Sequence, residues 1–284
     1  MPNIPPQLEG AFKMRPIDAD KYSVGTVAVV GGSSRYANAP VMAGLGARAA
    51  GAGLVSLVSP NVSRLAMAAL LPEATFVRLS LTSVPPRSDA VIIGMGLGKD
   101  TFAELTVMRI LSCSEGRFVV DADALSVLAA VHEKTGICNR ASGQEFILTP
   151  HEGEAARLLG RNREDIAAHR LSSAREIARR YHATVVLKGP RTIVVSRDGL
   201  KTYTNKTGNP FMAIGGMGDL LAGVIGARWA YLKCDPFVAA ASAVWLHGAA
   251  SDRVVAEARD PSIMNTAAEI GSLRVRLDSE RNLI

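Results

Sequence analysis

Cysteine is scarce. The 284-residue chain has three, Cys113, Cys138 and Cys234. They are widely spaced, odd in number and form no C-x-x-C pair. That excludes a disulfide framework and a cysteine-held zinc site, and it fits a reducing, cytoplasmic setting. Runs of like charge are missing too. The 32 basic and 26 acidic residues are scattered, for a net charge of +6, so no nucleic-acid footprint is expected, only a mild field favouring anionic ligands such as nucleotides. No apolar run is long enough for a membrane span, because Asp219, Arg228 and His247 interrupt the late apolar stretches. The start, MPNIPPQLEG, lacks a basic segment followed by an apolar one, which argues against a signal peptide. No G-x-x-x-x-G-K-[ST] occurs, and the glycines from Gly94 fail G-x-G-x-x-G because position 99 is Lys. A P-loop is therefore excluded and a dinucleotide fingerprint is weak. Low-complexity linkers and internal repeats are also lacking. The expectation is one domain over 1–284, with 1–24 an extension ahead of the first strand.

What is present is an alternation. Hydrophobic residues make up 48% and charged residues 20%, as in folded proteins. Apolar runs at Val27–Val30, Leu54–Val58, Asp89–Ile93, Phe118–Val120, Phe146–Leu148 and Thr184–Leu187 read as strands buried on both faces. Helical patterns near 39–50, 124–131, 152–159, 163–180 and 219–232 follow or separate them. Val41, Leu45 and Ala49 share one face of the first helix, and its many small residues suit a close approach to a sheet. The alternation predicts an α/β layered fold with a mostly parallel sheet. Thr192–Ser196 and Leu200–Thr204 flank Arg197-Asp198-Gly199, which predicts an antiparallel hairpin at one sheet edge.

Ligands gather beyond the carboxyl ends of parallel strands. Unusual residues stand there: Gly94-Met95-Gly96 after Ile93, Asp121-Ala122-Asp123 after Val120, Thr149-Pro150-His151 after Leu148, and Lys188-Gly189 after Leu187. The most informative segment is Gly208-Asn209-Pro210 followed by Gly215-Gly216-Met217-Gly218-Asp219 and an apolar helix. Glycines before a helix leave its first N–H groups open to an anion. Asp219 then has two readings: a helix cap, or a base that takes a proton from an attacking hydroxyl beside that anion site. His151 likewise reads as a cap after Pro150 or as a ligand contact. Asp121 and Asp123 read as ending a strand and starting a helix. Lys188 suits phosphate. His247 reads as a packed residue on an apolar helix, and His132, His169 and His182 as surface positions.

Seven ordered segments carry a resemblance. They are Val30-Gly31-Gly32-Ser33 with Tyr36-Ala37-Asn38-Ala39-Pro40; Ala50-Gly51-Ala52-Gly53-Leu54-Val55; Ile93-Gly94-Met95-Gly96-Leu97-Gly98; Val120-Asp121-Ala122-Asp123-Ala124-Leu125; Leu148-Thr149-Pro150-His151-Glu152-Gly153-Glu154; Leu187-Lys188-Gly189; and Thr207-Gly208-Asn209-Pro210 through Gly218-Asp219. With them the chain resembles the ADP/ATP-dependent (S)-NAD(P)H-hydrate dehydratases of the ribokinase-like superfamily, from about Gly25 to about residue 272.

The resemblance implies a ribokinase-like three-layer α/β/α fold. It also implies a lyase that phosphorylates the C6 hydroxyl of hydrated NADH or NADPH with ADP or ATP and then releases phosphate. It gives Asp219 the role of base and Gly216, Met217 and Gly218 that of anion-hole donors. It places Lys188, Gly189, Pro190, Arg191, Thr192 and Gly218 at the nucleotide, and Ala39, Gly96, His151 and Asp219 at the hydrate. Glu154, three residues after His151, would orient Mg²⁺. A homo-oligomer, often a tetramer, is implied as well. The chain departs from the family pattern at Met95, usually Pro; at Phe211, usually Gly; at Ile214, usually Thr; and at Met217, usually Thr or Ser. Lost hydroxyls at 214 and 217 would remove phosphate contacts worth about 0.5–1.5 kcal/mol each. The same superfamily keeps a small-molecule kinase open as an alternative, as well as a protein that binds nucleotide without transfer.

Overall fold

A computed structural model of the chain describes residues 4–12, 15–113, 115–136, 138 and 143–279. Among the described residues nine strands form one sheet: β1 (Thr26–Val30), β2 (Leu54–Ser59), β3 (Thr75–Arg78), β4 (Ala90–Ile93), β5 (Gly116–Val120), β6 (Gln144–Leu148), β7 (Thr184–Leu187), β8 (Ile193–Val195) and β9 (Thr202–Thr204). Their order is β3-β2-β1-β4-β5-β6-β7-β8-β9. From β3 to β7 all pairs are parallel, whereas β7–β8 and β8–β9 are antiparallel. The expected edge hairpin is thus present, each of its strands two residues shorter than the apolar pattern suggested.

Helices cover both faces. One layer holds α1 (Ala39–Ala49), α2 (Ser63–Leu70), α8 (Met217–Leu232), α9 (Pro236–Ala256) and α10 (Ile263–Ser279). The other holds α3 (Thr101–Cys113), α4 (Asp123–Thr135), α5 (Glu152–Leu159), α6 (Arg163–Ala168) and α7 (Arg170–Arg180). The twofold period of a strand decides which residue faces which layer. Val27 and Val29 join the first core, and Ala28 and Val30 the second. In the second core Phe118 stacks on its register partner Phe146, with centroids 5.5 Å apart.

α8 is apolar around most of its surface because it has no solvent face; the exception is Arg228, buried with its guanidinium donating to Ala11 O. Leu220 through Ala230 are all buried, with α1 and α9 beside them and β4 below. The glycines of α1 and α8 make a closer packing than expected. A Cβ at Gly46 would stand 2.0 Å from Leu220 O, and one at Gly223 would stand 1.9 Å from Ala43 O. Of the α1 glycines, Gly46 therefore serves the contact with another helix, while Gly44 faces Leu71 and, in the sheet, Leu57 and Val55.

Other expectations need correction. The 163–180 helix is two helices, broken at His169, whose φ of −127° and ψ of 42° are not helical. β3 has no apolar run, since as an edge strand only its middle residues are partly buried. His132 is buried, not on the surface. Its ring lies 4.3 Å from that of Tyr181 and its Nε2 lies 3.1 Å from Arg180 O. His169 and His182 are exposed as expected. Cys138 and Cys234 are free thiols, while the Cys113 side chain lies outside the described residues. Among the described residues no helix is long and apolar enough to cross a membrane.

Candidate active site

The sheet changes direction between β1 and β4, its topological switch point. The strand-end loops there fit tightly. Gly32 N–H donates to Met95 O at 2.9 Å, and a Cβ at Gly94 would lie 1.9 Å from Asp121 O. Gly96, at φ 67°, leaves room for Tyr36 and for Ala39, the first residue of α1. Met42, one turn on, approaches Gly216. Ala39 and Gly96 thus flank one side of the α8 start.

On the other side stands a charge cluster. Lys188 Nζ lies 2.6 Å from Asp121 Oδ1 and 3.8 Å from Glu154 Oε2. Thr149 Oγ1 donates to the same Asp121 oxygen at 2.8 Å. A Cβ on Gly218 would sit 3.5 Å from Lys188 Nζ, so the ammonium closes on the first turn of α8. Burial pulls the Lys188 pKa down, but Asp121 and Glu154 outweigh it and hold the lysine protonated, above its ordinary value. Burial, opposed by Lys188, leaves Glu154 above the usual carboxylate range.

Asp219 is half-buried beside this cluster. Burial and the neighbouring Asp121 charge push its pKa up to about 7, against the pull of Lys188. Gly216 (φ 90°) is the N-cap of α8 and offers no side-chain cap bond. Asp219 lies three residues inside that cap, so it is not the capping residue, and its carboxyl feels the charges of Asp121, Lys188 and Glu154. Met217 N–H makes a long bond of 3.4 Å to Ile214 O, and the N–H groups of the first turn, Gly218 among them, have no partner within the helix.

His151 is a cap. Its Nδ1 accepts from Gly153 N–H and Glu154 N–H, and Glu154 Oε2 accepts from His151 N–H at 2.8 Å. This reciprocal box leaves the imidazole more than half exposed toward solvent, and burial with the Lys188 charge lowers its pKa. Capping and ligand contact are thus compatible. Gly189 (φ 139°), Pro190, Arg191 (φ 54°) and Thr192 form an exposed turn, closed by Thr192 Oγ1 donating to Gly189 O at 3.0 Å. The turn joins the cluster through Lys188.

Asp121 does more than end a strand, since it pairs with Lys188 and raises Asp219. The residue pattern alone could not show this, because the pairing spans 67 positions. Asp123 adds a smaller raising charge at Asp219, and its Oδ2 accepts Gly98 N–H at 2.9 Å. Ala122 between them has a positive φ of 51°. Glu152 and Arg170, unremarked in the sequence, meet at 2.5 Å. Arg170 also donates to the carbonyls of Leu187 and Lys188. Among the described residues no group of three or more His, Cys, Asp or Glu side chains is arranged to hold a metal ion. The carboxylates of Asp121 and Glu154 are already committed to Lys188 and to the His151 cap.

The family model for NAD(P)H-hydrate dehydratase matches residues 27–270. The chain belongs to the NAD(P)H-hydrate dehydratase family. It is 38% identical over 244 residues to an ADP-dependent (S)-NAD(P)H-hydrate dehydratase of Neisseria meningitidis, covering 85% of this chain and 81% of that one. It is 40% identical over 253 residues to a bifunctional NAD(P)H-hydrate repair enzyme of Gloeobacter violaceus, covering 85% of this chain and 47% of that one. The chain thus spans about half the length of the bifunctional relatives. Among solved structures, the Bacillus subtilis ADP/ATP-dependent NAD(P)H-hydrate dehydratase co-crystallised with ATP/Mg²⁺ matches with a TM-score of 0.82 at 27% identity, over 95% of this chain and 96% of that one. A ribokinase-like superfamily protein of Enterococcus faecalis, with a TM-score of 0.81 at 24% identity over 95% of this chain and 94% of that one, confirms the ribokinase-like fold.

In this dehydratase-family chain the departures at 211–217 separate into two kinds. Phe211 and Ile214 are exposed on the loop before α8. Met217 is buried, with its Sδ 3.1 Å from His247 Nε2. The side chain at 217 faces the core, so the expected loss of a phosphate contact there is not supported. His247 is buried as expected, and burial drives its pKa to about 4.

Proposed function

We propose that the chain dehydrates the 6S hydrate of NADH or NADPH at the expense of ADP or ATP, restoring the reduced cofactor. The observation that carries this reading is Asp219: a carboxylate at the open start of α8, beside Lys188, with a pKa near neutrality. A base of that strength accepts a proton at physiological pH without being permanently protonated.

Asp219 takes the proton of the C6 hydroxyl. The freed oxygen attacks the terminal phosphorus of the nucleotide, and AMP or ADP leaves. Gly218 N–H, with Gly216 and Met217 shaping the helix start, meets the negative charge on the transferring group. Lys188, kept charged by Asp121, adds a fixed positive charge. Phosphate then departs from C6 as the ring nitrogen donates its lone pair, and loss of a C5 proton restores the ring. Hydroxide is a poor leaving group and phosphate a good one, so a transfer site suffices for dehydration.

In this reading the Gly189–Thr192 turn holds the nucleotide, and Ala39, Gly96 and His151 hold the hydrate. Glu154 would hold Mg²⁺ through a water, as suits a cation that keeps its waters. Magnesium would add charge neutralisation there. The domain acts as a single unit, as a cytoplasmic homo-oligomer.

Purified protein is mixed with NADPH hydrate, Mg²⁺ and either ADP or ATP. Recovery of the reduced-nicotinamide absorbance with free phosphate is expected. A stable phosphorylated product from a vitamin-precursor alcohol, without recovery from the hydrate, identifies a small-molecule kinase instead.

A further inference from the structure

The loop Gly208–Gly216 leads from the edge hairpin to α8, so its placement sets where Gly218 and Asp219 stand. Both its ends are fastened to α9. At the first end Gly208 N–H donates to Asp252 Oδ2 at 2.8 Å, and Asn209 Nδ2 donates to Asp252 Oδ1 at 2.9 Å. Asn209 Oδ1 is turned the other way and accepts Phe211 N–H at 3.2 Å, which fixes the orientation of the amide. The backbones approach closely because position 248 is glycine. A Cβ there would lie 2.4 Å from Thr207 Oγ1 and 2.9 Å from Gly208 N. At the second end Met217 is seated on His247. Between these ends Phe211, Ala213, Ile214 and Gly215 are exposed.

The span between these ends is not slack: Pro210–Met212 form a 3-10 turn, Met212 packs against the core, and Ile214 N–H and Met217 N–H bond back to Met212 O and Ile214 O, so a shift at Gly208 and Asn209 is carried stepwise to α8. Both partners of Asp252 are N–H donors. Only a carboxylate offers two acceptor oxygens and no donor, whereas an amide would turn an NH₂ toward one of them. We propose that Asp252 is a positioning residue: by holding Gly208 and Asn209 it sets the register of the loop, and so the distance of Gly218 N–H and Asp219 from Lys188, without itself touching substrate or nucleotide. The proposal rests on the dehydratase reading for its kinetic consequence, but not for its structural one.

The test compares the parent with Asp252→Asn and with the exchanged pair Asn209→Asp plus Asp252→Asn. In the exchanged pair the amide of 252 donates to the carboxylate of 209, while its carbonyl still accepts Gly208 N–H. Expected for Asp252→Asn is a fall in kcat of about 10²-fold, the scale of an ångström-sized misplacement, with a much smaller change in the nucleotide KM. Amide hydrogen exchange should quicken over 208–217 and stay unchanged in the sheet. The exchanged pair should recover most of both effects. Parent-like kcat and loop exchange in Asp252→Asn overturn the proposal. So does faster exchange throughout the sheet, or an exchanged pair no better than the single variant. If Asp252→Asn does not fold, Asp252→Glu, which keeps both acceptors at a longer reach, must show the same split between kcat and KM or the proposal falls. A parent inactive on the hydrate defeats the functional reading alone, and loop exchange then decides the role of Asp252.

Discussion

Lys188 Nζ and Asp121 Oδ1 meet at 2.6 Å, although 67 positions separate them in the chain. The pair joins the ends of β5 and β7 and sets the electrostatics of the residue between them and α8. Burial raises Asp219 most, Asp121 raises it further, and Lys188 pulls it down. One ammonium facing Asp121, Glu154 and Asp219 leaves the cluster short of positive charge. That suits a site whose visitor is an anion accompanied by a cation.

Removing the base separates chemistry from binding. Asp219→Asn keeps the size of the side chain and the glycine loop. Turnover should fall by about 10²–10⁴-fold, the usual worth of a positioned general base, while nucleotide affinity, measured by titration calorimetry, stays near that of the parent. An equal loss in both would deny Asp219 its role.

The pH profile carries the sign of the Asp219 shift. Only the carboxylate form accepts a proton, so kcat/KM should rise with pH and level off above about 7. Stability moves the other way. The folded state binds this proton more tightly than the unfolded chain, whose Asp titrates near 3.9. Stability should therefore decline from about pH 4 to about pH 7 as the buried carboxyl is forced to ionise. Asp219→Asn should then have a higher Tm than the parent at neutral pH and a similar one near pH 4. A variant less stable at neutral pH contradicts the assignment.

The two partners should shift that profile in opposite directions. Asp121→Asn removes a charge that raises Asp219, so its acid limb moves to lower pH. Lys188→Met removes the charge that lowers Asp219, so its limb moves to higher pH. Lys188→Met also strands buried carboxylates, which typically costs about 3–5 kcal/mol and is read from urea unfolding. Shifts of the same sign in both variants would disprove the coupling.

Much of this was legible beforehand. Strands buried on both faces have apolar runs that need no partner to be recognised, and the glycines ahead of Asp219 advertise a helix start. The edge strand β3, Thr75–Arg78, carries no such run because half of it faces water. The partnerships were hidden for a different reason. Asp121 with Lys188, Gly208 with Asp252 and Met217 with His247 depend on which loops the sheet order brings together. Residue type and local spacing do not encode that order. Met217 shows the consequence. At the start of a helix its backbone belongs to the site while its side chain belongs to the core.

The contact between α1 and α8 gives the last test, because it places the site without belonging to it. At Gly223 an added Cβ would stand 1.9 Å from Ala43 O and 2.7 Å from Ala47 N, both backbone atoms that cannot rotate away. Gly223→Ala must therefore push the helices apart, against the helix propensity of Ala, which favours the substitution by about 1 kcal/mol. Overpacking costs typically about 1–3 kcal/mol, so net destabilisation is expected in urea unfolding. The displacement runs along α8 to Gly218 and Asp219, and kcat should fall even where the variant is fully folded. Gly271→Ala is the control. Its nearest neighbour would be Ala49 O at 3.8 Å, so Ala there should leave turnover unchanged and stability equal or higher. If Gly223→Ala behaves like Gly271→Ala, the close helix contact does not hold the α8 start in place.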